Sequence, residues 1–298
     1  MMNRRFFLSL CVALSALFTS CKEKANSTPK EASQSLKIAA WNLQWFPGKI
    51  PDGGTPEEQE AHVKAVVNEL KVIDADILLL QEIRDTEVLR DIAKKELPDY
   101  SLDIISDFEG NLEVAILSKA PYRANDSYME GFYRANTIDP PRGFVAATVK
   151  LDESNMLAVY SVHLKSNSGG IEETTPKREE SARQLITFNN NLKERAKSHN
   201  MNLISVIGGD FNSDPTSDNW ADDKTLSILI NEGFKWTGKN TAQEDRISWL
   251  SDGRYPDACF DHIMVSAPEG FVVSDSVTHK TTRDISDHRA VVAVLKTE

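Results

Sequence analysis

The stretch Gly208-Gly209-Asp210-Phe211-Asn212-Ser213-Asp214-Pro215 sets a carboxylate and a carboxamide one residue apart, behind the apolar run Leu203–Ile207. That run reads as a buried strand. The two glycines are expected to let the backbone turn tightly where a side chain would clash. An Asp and an Asn at a strand end, rimmed by Gly and Pro, offer groups suited to a hard metal ion and a phosphate oxygen. The same residues also make an ordinary polar turn closed by Asx hydrogen bonds. The stretch alone does not decide between the two.

Other strand ends carry matching groups. Asn42 follows the run Leu36–Trp41, Glu82 follows Ala75–Leu80, and His163 follows Leu157–Val162. Asp261 lies in the run Cys259–Val265, while Asp287 and His288 lead into Ala290–Leu295. Strand ends on one edge of a sheet converge, and ligands of α/β sheets bind there. Each residue also has a plainer reading: Glu82 as a helix-start carboxylate, His163 as a satisfied core histidine, Asp287 as a turn cap. Their joint occurrence is what points to a site. His262 neighbours Asp261 on the same strand, so it faces the other side and reads as structural.

The elements that must position these groups follow from patterning. Thr55 as N-cap, Pro56 at the first helical position and Glu58 completing a capping box open a helix. Val63, Val66, Val67 and Leu70 line its inner face. The unbroken apolar run Ala75–Leu80 predicts a strand covered on both sides. A second helix is expected over Thr86–Leu97. Strands follow near 102–106, 113–118, 144–151 and 156–164, and a long loop over 125–143 carries Tyr128, Phe132, Tyr133, Arg134 and Arg142. Thr175-Pro176 predicts the start of a third helix, with Ala182, Leu185, Ile186, Asn189, Leu192 and Ala196 inward. A short helix near 224–232 and further strands over 259–265, 272–278 and 290–295 complete the pattern. There is no internal repeat.

The chain has 298 residues, 40% of them hydrophobic, enough for one sizeable core over residues 36–298. The net charge of −11 argues against a protein that coats nucleic acid by bulk electrostatics. Arg4 and Arg5, then the apolar stretch Phe6–Phe18, read as a signal peptide over residues 1–20. Phe18-Thr19-Ser20-Cys21 resembles a lipoprotein cleavage site with Cys21 as the lipidated first residue. The twin arginines resemble a folded-export signal. Loss of residues 1–20 removes two arginines and no acid and leaves −13. Residues 21–35 read as a polar tether. Cys259 then lacks a disulfide partner and reads as a small buried apolar residue.

Trp41-Asn42, Gln81-Glu82, Val162-His163-Leu164-Lys165, Gly209-Asp210-Phe211-Asn212, Phe260-Asp261-His262-Ile263 and Ser286-Asp287-His288 occur in this order. Together, across residues 36–296, they resemble the endonuclease/exonuclease/phosphatase family. The resemblance implies an α/β fold of α+β type, deoxyribonuclease-I-like: a four-layer sandwich of two packed mixed β-sheets flanked by helices. It implies divalent-metal-dependent phosphoester hydrolysis with Mg²⁺, or with Mn²⁺ or Ca²⁺. Glu82 and Asp287 would ligate the metal, and Asn42 would orient it or its waters. Asp210 would align or deprotonate the attacking water, and Asn212 would hold phosphate or nucleophile. His288, oriented by Asp261, would contact the phosphate as acid or base. His163 would donate to a second oxygen or protonate the leaving group, with Glu113 as its carboxylate partner. Lys165, Arg142 and Arg178 are candidate substrate contacts. Arg142 follows Pro140-Pro141, whereas relatives often carry Arg-Pro-Pro.

An exported, lipid-anchored, monomeric nuclease acting on nucleic acid is the leading expectation. The membrane contact would be the anchor at Cys21 alone. A sphingomyelinase-like lipid hydrolase and a non-catalytic surface binding module are the alternatives.

Overall fold

The structure, a computed structural model, describes residues 35–110 and 112–297. The expected signal peptide, the lipidated Cys21 and all of the tether except Ser35 lie outside these residues. Ser35 is not tether: it pairs with Lys296 as the first residue of a strand.

In chain order the elements are β1 (Ser35–Phe46), α1 (Pro56–Ile73), β2 (Ile77–Ile83), α2 (Thr86–Lys95), β3 (Tyr100–Ile105), β4 (Glu113–Lys119), β5 (Asp126–Gly131), β6 (Gly143–Lys150), β7 (Asn155–His163), α3 (Ile171–Ser198), β8 (Asn202–Asp210), α4 (Thr225–Asn231), β9 (Lys235–Trp236), α5 (Gln243–Arg246), β10 (Asp261–Ser266), β11 (Phe271–Val273), β12 (Val277–Thr278) and β13 (Val291–Thr297). One sheet runs β11-β13-β1-β2-β4-β3, with β12 also on β13, and the other runs β5-β6-β7-β8-β10-β9. β1 pairs with β2 in parallel, and so does β7 with β8, among otherwise antiparallel neighbours. Both sheets are therefore mixed.

Strand alternation divides the apolar residues among three layers. Odd positions of β1 (Ala39, Trp41, Leu43) join Leu78 and Leu80 of β2 under α1 and α2. Even positions (Ile38, Ala40) join Ile77, Leu79, Val159 and Val206 between the sheets. Ala158, Tyr160, Ile207 and Met264 face α3 and α4 on the far side. The order helix, sheet, sheet, helix is the four-layer sandwich the resemblance implied. α1 opens as its cap residues dictate: Thr55 Oγ1 accepts the Glu58 N–H, and the Glu58 carboxylate accepts the Thr55 N–H. Among the described residues no helix is long and apolar enough to cross a membrane.

Several boundaries differ from expectation. The loop over 125–143 contains β5, an edge strand paired to β6. Its Tyr128 and Phe132 pack on Phe188 and Phe144, so these rings are structural. α3 starts at Ile171, not at Thr175. Pro176 lies in its second turn, although Thr-Pro is a common helix opening. The strand expected over 272–278 is two short pieces, β11 and β12. α2 ends at Lys95.

Candidate active site

The inter-sheet series of each central strand ends in a polar residue. Along β1 it runs Ile38, Ala40, Asn42; along β7, Leu157, Val159, Ser161, His163; along β8, Ile204, Val206, Gly208, Asp210. β10 enters from the opposite direction, with Asp261 ahead of Ile263 and Val265. Register sets His163 opposite Asp210 and Asp210 opposite Asp261. The site is thus the polar end of the layer between the sheets. Gly208 and Gly209 do not turn the chain; both lie within β8. A Cβ at Gly208 would sit 2.6 Å from Leu79 Cδ1 of the facing sheet, and one at Gly209 2.0 Å from the Val162 carbonyl oxygen. The glycines let the facing sheet and β7 close in behind Asp210.

Glu82 reaches the site by a different device. By alternation it belongs with Leu78 and Leu80 on the helix side of β2. The pairing of β2 with β1 and β4 shifts register at this point, and Glu82 takes a φ of 58°. Such an irregularity re-aims a side chain. Gln44, Trp45, Arg142 and Asn212 also have positive φ. Strained backbone held at one end of a fold is a mark of function. Glu82 Oε2 accepts the Trp45 N–H at 3.0 Å.

Asn42 ties the two sheets together. Its Nδ2 donates to Glu82 Oε1 and to Asp210 Oδ2, each at 3.0 Å, while its Oδ1 accepts the Gln44 N–H. Asp210 Oδ1 accepts the Asn212 N–H at 2.8 Å. His288 Nδ1 lies 2.7 Å from Asp261 Oδ2, and its Nε2 lies 3.8 Å from Asp210 Oδ2. His163 Nε2 lies 3.7 Å from both Glu82 Oε1 and Asp210 Oδ2. Asp287 stands on the rim; its N–H donates to Gln44 Oε1. Its carboxylate joins neither three-residue ligand group described below.

Burial drives the electrostatics. It raises the Glu82 carboxyl above its ordinary value, against the Asn42 hydrogen bond and the His288 charge. It raises Asp210 too, helped by Asp261 and Glu82 and opposed by His288. For His288 burial lowers the pKa, but Asp261 and Asp210 outweigh it and hold the imidazole well above its usual value. His163 has no such support. Burial, then the Arg142 and His288 charges, push it well below its usual value. The two rings are thus set apart: the site favours the charged form of His288 and the neutral form of His163.

Glu82, His163 and Asp210 offer ligand atoms within 4.8 Å of one another, as do Asp210, Asp261 and His288. The first set fits a divalent cation: two carboxylates that burial has raised lack the positive charge such an ion supplies.

The sequence profile of the Endonuclease/Exonuclease/phosphatase family matches residues 39–288. The chain belongs to this family. Membership supports a metal-dependent phosphoesterase. Solved structures share the fold. An endonuclease/exonuclease/phosphatase family protein from Bacteroides thetaiotaomicron is 18% identical, with TM-score 0.61 over 90% of this chain and 99% of its own. The human Nocturnin catalytic domain with bound sulfate is 18% identical, with TM-score 0.61 over 89% and 95%. Truncated Caenorhabditis elegans TDP2 is 18% identical, with TM-score 0.58 over 88% and 97%. No curated protein matches the chain by sequence.

Two expectations change in this chain. Glu113 is not the partner of His163. Its carboxylate accepts from Ser106 Oγ and the Phe108 N–H at the end of β3, and His163 Nδ1 is buried without a partner. Arg178 does not face substrate. Its guanidinium is fully buried, 2.6 Å from Asp223 Oδ2, and also donates to Thr174, Thr175 and the Lys165 carbonyl. It pins α3 to the turn before α4. Lys165 sits at the rim with its ammonium on the Ser166 and Ser168 carbonyls. Arg142 does reach the site's edge: it donates to the His163 and Leu164 carbonyls, closing the end of β7. His262 meets the Phe211 and Trp236 rings edge-on, with Nε2 on the Ser213 carbonyl, and its place on the strand predicts that it faces away from Asp261. Cys259 is buried and free, and burial pushes its thiol up.

Sequence reading missed an aromatic cleft beside His288, formed by Trp220, Trp249, Tyr255 and Phe260. These rings come from separate loops with no shared period. The only signal was that three lie within the twelve residues 249–260 next to Asp261.

Proposed function

We propose that this chain is a phosphodiesterase that uses Mg²⁺ or Mn²⁺ to hydrolyse nucleic acid outside the cytoplasm. In this reading residues 1–20 are an export signal, Cys21 carries the lipid anchor, and residues from Ser35 onward act as a monomeric catalytic domain. The observation that carries the hydrolase reading is the convergence of Asn42, Glu82, His163, Asp210, Asn212 and the Asp261–His288 pair at one end of the inter-sheet layer.

The roles follow from position and charge. Glu82 and Asp210, with His163 or with Asp287 on the rim, would hold the divalent ion, which supplies charge neutralisation at the phosphoryl group. Asn42 orients both carboxylates through its amide. Asp210 Oδ2 faces the centre, 3.7 Å from His163 Nε2 and 3.8 Å from His288 Nε2, where it would align the attacking water. His288, charged and fixed by Asp261, donates from Nε2 to a phosphoryl oxygen and stabilises the pentacovalent charge. His163, neutral, is a hydrogen-bond donor or ligand and not the proton source. Asn212 is held by its backbone to Asp210 and by Nδ2 to the Leu164 carbonyl at 3.3 Å, at the edge where phosphate would lie.

The test uses the mature chain with Mg²⁺ or Mn²⁺ against single- and double-stranded DNA, RNA, sphingomyelin vesicles and bis-p-nitrophenyl phosphate. Hydrolysis of the nucleic acids, lost in EDTA, supports the reading. Cleavage of vesicles alone replaces it with the lipid hydrolase.

A further inference from the structure

A cleft of about 510 Å³ opens beside the His288 imidazole and Asn212. Phe260 forms its inner end. The Trp220 ring meets Phe260 edge-on at 5.2 Å, and the Trp249 ring lies tilted 32° from it at 5.4 Å. Tyr255, 70% exposed, stands at the mouth. Both tryptophans are tied to the site. Trp220 Nε1 donates to Asn167 Oδ1, and Asn167 Nδ2 donates to the Asn212 carbonyl. The Trp249 backbone bridges to His288.

The wall chemistry is selective. None of the lining residues is Lys or Arg. Asp214 turns inward, its oxygens taken by Thr216 and the Cys259 N–H, and Asp257 accepts the Ser251 N–H. What remains is flat rings plus the neutral amides and hydroxyls of Asn167, Ser217 and Asn219. With the scissile phosphate on His288, a second phosphate would find no Lys or Arg in this wall. An acyl chain would match the rings but not the Asn219 amide and the Ser217 hydroxyl. A nucleobase satisfies both halves, its face on the rings and its edge on the amides. The volume falls in the range of a small-ligand pocket. A base locked in a duplex cannot enter without leaving its stack.

We infer that this cleft receives the unpaired base next to the scissile phosphate, so the substrates are single-stranded nucleic acid or short nucleoside phosphodiesters, in preference to duplex. The inference rests on the phosphodiesterase reading for its reaction but not for its binding. The experiment therefore has two arms. In the kinetic arm, a single-stranded thymidine oligonucleotide is compared with the same backbone lacking bases. The native chain prefers the base-bearing strand by about 10-fold or more in kcat/KM, and Trp220→Leu removes most of that preference through KM. Tyr255→Ala, whose exposed ring the fold does not need, lowers the preference in the same sense and serves if Trp220→Leu fails to fold. In the binding arm, adenosine 5′-monophosphate is titrated in EDTA while tryptophan fluorescence is followed. Saturable quenching is expected, and Trp220→Leu or Tyr255→Ala weakens it. Quenching without turnover of any phosphodiester would keep the cleft and sink the hydrolase. Equal turnover of both strands by native and variant chains would sink the cleft and keep the hydrolase, and so would faster cleavage of duplex or of sphingomyelin vesicles.

Discussion

His288 Nδ1 and Asp261 Oδ2 meet at 2.7 Å, and both side chains are almost wholly shielded from water. The two come from different sheets, His288 just ahead of β13 and Asp261 at the start of β10. Their contact joins the sheets on one side of the site, as Asn42 does on the other. Removing the Asp261 charge takes away the largest influence that raises the His288 pKa. Asp261→Asn should lower kcat/KM by roughly 10²- to 10⁴-fold, as loss of an orienting carboxylate does elsewhere. Activity that needs the imidazolium is lost as pH rises through its pKa. The alkaline limb of the pH–rate profile should therefore move to lower pH in the variant. An unmoved limb would mean that His288 does not act as the charged group.

Asp210 is paired to functional demand and not to stability. Its folded pKa is raised, so the folded state holds the proton more tightly than the unfolded chain. That contribution is present at acid pH and is lost as pH rises through the folded value, which leaves a buried charge that destabilises. In EDTA above neutral pH, Asp210→Asn should melt at or above the temperature of the native chain. Mg²⁺ should raise the native melting temperature and not that of the variant. Thermal denaturation with and without metal checks both, and a variant that melts lower in EDTA would contradict this account.

Arg178 tests the correction to its expected role. A buried ion pair broken by loss of one partner costs about 3–5 kcal/mol. Asp223→Ala or Arg178→Met should lower the unfolding free energy by that order in chemical denaturation, with KM of the folded enzyme nearly unchanged. A raised KM at native stability would return Arg178 to the substrate surface.

How much of this was legible beforehand depended on whether a residue obeyed a period. Asn42, His163, Asp210 and Asp261 continue the inter-sheet alternation of their strands, so apolar runs ending in polar groups located them. Thr55 and Glu58 announced α1 by spacing alone. Glu82 was found as the polar end of the apolar run Ala75–Leu80, but the register shift that aims it has no sequence period. Gly208 and Gly209 looked like a turn because close approach to Leu79 and Val162 is a tertiary fact. Arg178 looked like a substrate contact because Asp223, its counter-ion, lies 45 positions away. The aromatic cleft gathers single rings from separate loops, which no local pattern records.

His62 on α1 shapes stability at acid pH. Its Nδ1 accepts the Gly48 N–H at 2.9 Å, and burial together with the Lys49 charge pushes its pKa down to about 4. The folded state keeps the ring neutral while the unfolded ring titrates near its ordinary 6.5. Stability therefore falls as pH drops from about 6.5 to about 4, by on the order of 3 kcal/mol from this group, and levels off below. His62→Asn keeps an acceptor for Gly48 and cannot titrate. Urea denaturation at pH 7 and pH 4.5 should show a smaller acid loss in the variant than in the native chain. Equal losses would contradict the assignment.

The central claim is that Glu82 and Asp210 hold a divalent ion that phosphodiester hydrolysis requires. The most direct measurement follows cleavage of a single-stranded oligonucleotide by the native chain, Glu82→Gln and Asp210→Ala, across a titration of Mg²⁺ into EDTA-treated protein. The account predicts no cleavage without metal, a saturable rise for the native chain, and losses of about 10³-fold or more for both folded variants. Full activity in EDTA, or native rates in either variant, would contradict it.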